Sequence, residues 1–210
     1  MSMDGPGFSG FDTVAFDAMG VLYRSADDVA DLLVPYARGK GSDLGDREIT
    51  ELYTRCSVGA IGTEELWERL RTRGASDEEY CGRHTLTEGT LPLLERLAGA
   101  GVRLACLSND VSVWSVLLRR RFGLDRFIGT WVISGDIGVR KPDPQAYEAL
   151  CAAVDASAPG RVVFVDDRPA NVRAAAAAGL TAVRFGPAGS DPRAVPDMAG
   201  LGEALTRWAW

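Results

Sequence analysis

TVAFDAMGVL, residues 13–22, is the stretch that decides how this chain folds. Val14, Ala15 and Phe16 form an apolar run suited to a buried strand, and the run stops at a carboxylate, Asp17. Gly20 follows, a residue without Cβ that lets the backbone turn sharply. A parallel strand that ends in an acid and then turns sets that acid at the carboxyl edge of a sheet, where open α/β folds bind ligands. A second stretch of this kind lies far down the chain: RVVFV, residues 161–165, runs into Asp166 and Asp167. If both strands belong to one sheet, three carboxylates meet at one edge. They repel one another unless a proton or a cation lies between them. A hard divalent ion with oxygen ligands, Mg²⁺ above all, suits such a place.

Two more segments extend the pattern. VRLACL, residues 102–107, reads as a strand and ends in Ser108 and Asn109; GVRKPDP, residues 138–144, is turn-rich and carries Lys141, one of only two lysines in the chain. Strand-Asp, strand-Ser, Lys-Pro and strand-Asp-Asp, in that order, resemble the haloacid dehalogenase superfamily across residues 11–184. The resemblance implies a Rossmann-like three-layer α/β core with a parallel sheet. It makes Asp17 the nucleophile that takes up a phosphoryl group, and also a metal ligand. Ser108, Asn109 and Lys141 become the phosphate-holding residues, with Lys141 counted as catalytic. Mg²⁺ is the implied cofactor, held by Asp17, the main-chain carbonyl of Met19, Asp167 and, directly or through water, Asp166.

The chemistry accounts for these residue types. A carboxylate is a competent covalent nucleophile. Because both it and the substrate are anionic, cations and donors are needed to neutralise the developing charge.

One position departs from the family pattern. Phosphatases of this family place a second Asp two residues after the nucleophile as general acid and base, and here Met19 stands there. A thioether neither protonates a leaving alkoxide nor activates water. General acid–base help contributes roughly 10²–10⁴-fold, so phosphomonoester turnover is expected to be impaired or carried by another group, with Asp110 the acid nearest these motifs in sequence. The resemblance supplies precedents: Tyr in dehalogenases, Ala in phosphonatases with a cap lysine, Thr in ion-pumping ATPases. Retention of Asp166 and Asp167 argues against a dehalogenase, which needs no metal. The other lysine, Lys40, lies between Gly39 and Gly41 in an expected loop, a poor setting for an imine-forming amine. The reading is a Mg²⁺-dependent hydrolase acting on a small phosphorylated metabolite. The alternative is a catalytically silent member that binds a phosphorylated ligand or a protein partner.

Composition fits this picture. The 210 residues suit one α/β domain with an insertion, or two small domains. A net charge of −6 gives no basic excess for nucleic acid. No apolar run reaches membrane-spanning length, and MSMDGPGFSG lacks signal-peptide features. Cys56, Cys81, Cys106 and Cys151 form no CxxC pair and read as the reduced thiols of a cytoplasmic protein; a monomer or homodimer is expected.

Residues 24–88 carry helical spacing over 27–36, 47–58 and 63–73, with Thr63 as N-cap and Gly74 as stop. They resemble a small helical cap domain inserted into a core of residues 1–23 and 89–210. From Gly89 onward helices are expected over 91–100, 111–122, 145–154, 170–178 and 198–210. Strands are expected over 102–107, 130–134, 161–165 and 181–185. His84, the only histidine, and Trp67 read as structural residues, and the Arg119–Arg121 run as a solvated helix end. Asn171 suits either a role behind the metal site or a helix start.

Overall fold

A computed structural model describes residues 10–187 and 194–208. Residues 1–9, which hold most of the N-terminal stretch read for a signal peptide, and residues 209–210 of the expected last helix lie outside the described residues.

Five strands form one sheet: β1 (Thr13–Phe16), β2 (Arg103–Ser108), β3 (Thr130–Ile133), β4 (Val162–Asp166) and β5 (Thr181–Arg184). Their order is β3-β2-β1-β4-β5 and every pairing is parallel. Alternate residues serve opposite faces, as the two-residue period of a strand requires. Val14, Phe16, Leu104, Cys106, Val163 and Val165 point into one apolar cluster, whereas Ala15, Ala105, Leu107 and Phe164 point into another. On the first face lie α5 (Thr90–Gly99), α6 (Ser112–Arg121) and α10 (Met198–Trp208). On the second lie α8 (Pro144–Ala153) and α9 (Pro169–Ala177). This is the expected three-layer α/β core, with the central strands covered on both sides.

Between β1 and β2 the chain makes a π-helical turn over Val29–Leu33, then α1 (Val34–Gly39), α2 (Asp46–Cys56), α3 (Thr63–Arg69) and α4 (Asp77–Cys81). The details correct several expectations. The first helix opens in π form because the Val34 amide reaches back to the Val29 carbonyl, and Pro35, next in line, has no N–H to give. Gly62, not Thr63, is the N-cap of α3, since the Thr63 hydroxyl is engaged by Asp77 at 2.8 Å. The same helix stops at Arg69, before the left-handed Arg71 (φ +56°), so Gly74 is not its terminator. Helix α4 was not expected, although its signature was present: Ser76 caps the Glu79 amide at 3.2 Å, ahead of a run of acids in the first turn. The strand expected over 130–134 ends one residue early, and Ser134 begins the short α7 (Ser134–Ile137).

The inserted helices share their apolar core with the rest of the chain. Tyr53, Trp67 and Tyr80 all pack on Trp114 of α6, with ring centroids 6.1, 5.5 and 4.3 Å away. Trp67 is thus a core residue, as expected. The arginine run is only partly a solvated end. Arg119 pairs with Asp125 at 3.3 Å, and Arg121 donates to the carbonyls of Cys81 and His84 at 2.7 and 3.0 Å. All four cysteines are free, and no described helix is long and apolar enough to cross a membrane.

Candidate active site

The parallel register builds the site. Phe16 stands opposite Val165, so the next residues, Asp17 and Asp166, reach the carboxyl edge together, beside β2, which ends at Ser108. This edge lies at the centre of the sheet, where chain direction switches from one side to the other.

Lys141 is the hub. Its Nζ lies 2.8 Å from Asp17 Oδ1 and 2.8 Å from Asp166 Oδ2, and all three side chains are buried. Burial alone opposes its charge, but Asp166 and Asp17 hold the ammonium above its usual range. Asn109 fixes the Lys141 main chain by a reciprocal pair. Its Nδ2 donates to the Lys141 carbonyl at 2.9 Å, and its Oδ1 accepts the Lys141 amide at 2.8 Å. Asn109, which the sequence marks as a phosphate-holding residue, lines the cavity and spends its side-chain amide on the Lys141 main chain.

The two late acids differ. Asp166 is saturated: it accepts from Lys141, from the Arg168 amide at 2.7 Å and from Asn171 Nδ2 at 3.0–3.1 Å. Asn171 therefore orients Asp166. Asp167 Oδ1 is buried and accepts no hydrogen bond. Burial, reinforced by Asp166, pushes the Asp167 carboxyl up to about 6. Burial also raises Asp17 well above the carboxylate range, against the pull of Lys141. Asp17, Asp166 and Asp167 each bring one oxygen within 4.8 Å of the others. One lysine does not neutralise two buried acids and a half-buried third, and Asp167 keeps an unused oxygen, so this donor set suits a hard cation. Ser108 Oγ, at the end of β2, is likewise buried without a partner.

A cavity of about 270 Å³ opens above Asp17. Met19, Asn109, Lys141 and Asn171 line it from the sheet side; Asp28, Val34, Thr50 and Tyr53 line it from the inserted helices. Arg140 and Arg168 complete the wall, and neither was marked by the sequence, because each only adjoins a motif residue. Asp110 does not line this cavity. It is buried, accepts the Val111 amide at 2.7 Å, and is pushed up to about 8 by burial and, secondarily, by Asp28. Lys40 is also elsewhere, paired with Glu79 at 2.6 Å.

A buried Asp–Lys–Asp triangle thus stands at the switch point of a parallel sheet, with an unpaired Asp beside it. The chain belongs to the haloacid dehalogenase-like hydrolase family, whose model matches residues 11–179. It is 28% identical over 184 residues to the sesquiterpene phosphatase astK of Aspergillus oryzae, an alignment covering 83% of this chain and 90% of the relative. Solved structures share the fold. A haloacid dehalogenase-family phosphatase from Thermococcus onnurineus superimposes with a TM-score of 0.72 at 20% identity, covering 93% of this chain and 98% of that one. A family enzyme from Bacteroides thetaiotaomicron, solved with magnesium and inorganic phosphate, superimposes at 0.68 with 17% identity, covering 81% and 92%.

Proposed function

We propose that the protein is a Mg²⁺-dependent phosphatase-type hydrolase acting on a small phosphorylated metabolite through an aspartyl phosphate at Asp17. The observation that carries this reading is the buried contact of Lys141 with Asp17, 2.8 Å long, beside an acid that keeps a free oxygen. Bound by Asp17, Asp167 and the Met19 carbonyl, Mg²⁺ would neutralise charge on the transferred phosphoryl group. Asp17 lines the cavity, and Lys141 favours its ionised form against its burial. Its ammonium and the unpartnered Ser108 hydroxyl are the donors suited to phosphoryl oxygens. Asp166 and Asn109 keep Lys141 in place from two sides.

Residues 24–88 act in this reading as the cap over a core of 1–23 and 89–210, since Tyr53, Thr50 and Val34 form the cavity's outer wall. A wall of that size, carrying both acids and arginines, suits a small polar substrate. Phosphonatase chemistry is disfavoured because Lys40 is committed to Glu79 outside the cavity. Met19 lines the cavity and supplies no proton, so the acid–base step is altered.

The test is phosphate release with and without Mg²⁺ from a panel of sugar phosphates, glycerol phosphates, phosphoglycolate and 4-nitrophenyl phosphate, with phosphonates and haloacids as controls. Mg²⁺-dependent release, abolished in Asp17→Asn, is expected. Turnover that persists in that variant overturns Asp17 as the nucleophile, and no turnover on any ester by a protein that binds Mg²⁺ overturns the reading in favour of a binding role.

A further inference from the structure

Without an acid at position 19, the reaction proposed above, on which this inference rests, lacks a proton-transfer group. Three acids of the insertion line the cavity: Asp27, Asp28 and Asp46. Two are committed at the exposed rim, Asp27 to the Ala30 amide at 3.1 Å and Asp46 to Arg38. Asp28 is different. It is 4% exposed, and its Oδ2 is sealed from solvent and accepts no hydrogen bond. It stands at the N-terminal edge of the π-helical turn, yet its side chain makes no cap bond there. Burying a carboxylate without partners is costly, and a structural acid at a helix start ordinarily caps it. Asp28 lines the cavity above the nucleophile, makes no cap bond and keeps Oδ2 without a hydrogen-bond partner, so that oxygen has a place for a proton from what enters.

We propose that Asp28 is the general acid and base of this hydrolase, replacing the carboxylate that position 19 lacks. In the first step an Asp17 oxygen bonds to phosphorus and the bond from phosphorus to the ester oxygen breaks. The departing oxygen takes the proton of the Asp28 carboxylic acid. In the second step a water oxygen bonds to phosphorus, the bond from phosphorus to Asp17 breaks, and Asp28 takes the water's proton. Phosphate leaves, and both acids return to their starting states.

The electrostatics support both roles. Burial, then Asp27, push the Asp28 carboxyl up to about 6, while Arg168 and Arg140 oppose the rise. Tyr53 of α2, Tyr80 of α4 and Asp110 of the loop after β2 also feel its charge. A group that titrates near 6 is available as both acid and base close to neutrality.

The experiment compares wild type with Asp28→Asn by rapid quench, using the alkyl phosphate of the panel with the highest kcat/KM alongside 4-nitrophenyl phosphate. Asp28→Asn is expected to lower kcat on the alkyl ester by about 10²–10⁴-fold with little change in KM. Phosphoenzyme should still form from 4-nitrophenyl phosphate, whose leaving group needs no proton, and should then accumulate. Its decay in wild type should rise with pH through about 6, an inflection absent from the variant. Adding Met19→Asp to Asp28→Asn should restore turnover. The phosphoenzyme burst reports a folded site; if the Asn variant lacks it, Asp28→Ala takes its place in the comparison. Unchanged kcat on the alkyl ester, or a loss confined to KM, overturns the assignment while Asp17→Asn remains inactive. Full activity in Asp17→Asn would instead sink the parent reading.

Discussion

A Cβ on Gly20 would lie 2.5 Å from Asp167 Oδ2, and Gly20 adopts φ +78°. The turn after β1 and the acid after β4, 147 positions apart by number, are thus fitted to each other without room for a methyl group. Residue 20 is glycine for two reasons: the left-handed backbone, and the space taken by the carboxylate.

Gly20→Ala should therefore act like a damaged Asp167. The strained backbone costs roughly 1 kcal/mol or more, and the displaced carboxylate should weaken metal binding. Thermal melts with and without Mg²⁺ decide it. Wild type should be stabilised by the ion, Asp167→Ala should not, and Gly20→Ala should fall between. A full Mg²⁺ response in Asp167→Ala would remove that residue from the ligand set.

Much of the sheet and its edge was legible in the sequence because a buried parallel strand is written as an uninterrupted apolar run, and here the runs end in Asp17, Ser108 and Asp166. Order along the chain then placed Lys141 with them. The helix ends were less legible. The π turn depends on Pro35 lacking a donor, and α3 ends where Arg71 turns left-handed, neither of which alters the apolar spacing. Asp28 was invisible for a different reason. It sits beside Asp27 in a polar stretch where an acid normally faces solvent, and only the packing of the inserted helices over the sheet buries one and leaves the other exposed.

Asp77 ties the insertion to the rest of the chain. Its Oδ1 accepts the indole N–H groups of Trp67 and Trp114 at 2.8 and 2.7 Å, and its Oδ2 accepts the Thr63 hydroxyl. Asp77→Ala leaves two indole donors without an acceptor, each costing roughly 1–3 kcal/mol. A fall of about 2–4 kcal/mol in urea unfolding is expected on that basis, with a raised KM as the cavity's outer wall loosens. Asp77→Asn keeps an oxygen for the indoles and should lose about half as much. Equal stability of wild type and the Ala variant would show that α6 and the inserted helices are held by ring packing alone.

His84 tests whether the one histidine is structural. It is 1% exposed and lies edge-on to Tyr80, with ring centroids 5.2 Å apart and planes at 89°. Burial pushes its pKa down from 6.5 to about 4, against opposing backbone groups of Cys81 and Tyr80. Because the folded value is depressed, the unfolded chain binds more protons between pH 4 and 6.5. The stability contributed by the neutral ring is therefore present above pH 6.5 and is lost as pH falls through about 4. At 1.36 kcal/mol per pH unit the loss amounts to at most about 3 kcal/mol. His84→Phe keeps an aromatic ring among Tyr23 and Tyr80 but has nothing to protonate. Carboxylates elsewhere titrate equally in both proteins, so the difference between their stability curves isolates the histidine. Between pH 6.5 and 4 wild type should lose stability relative to His84→Phe, and phosphatase activity at pH 7 should match within about threefold. Parallel curves would mean the ring already reaches solvent protons in the fold. A tenfold loss of kcat at unchanged stability would return His84 to the list of functional residues.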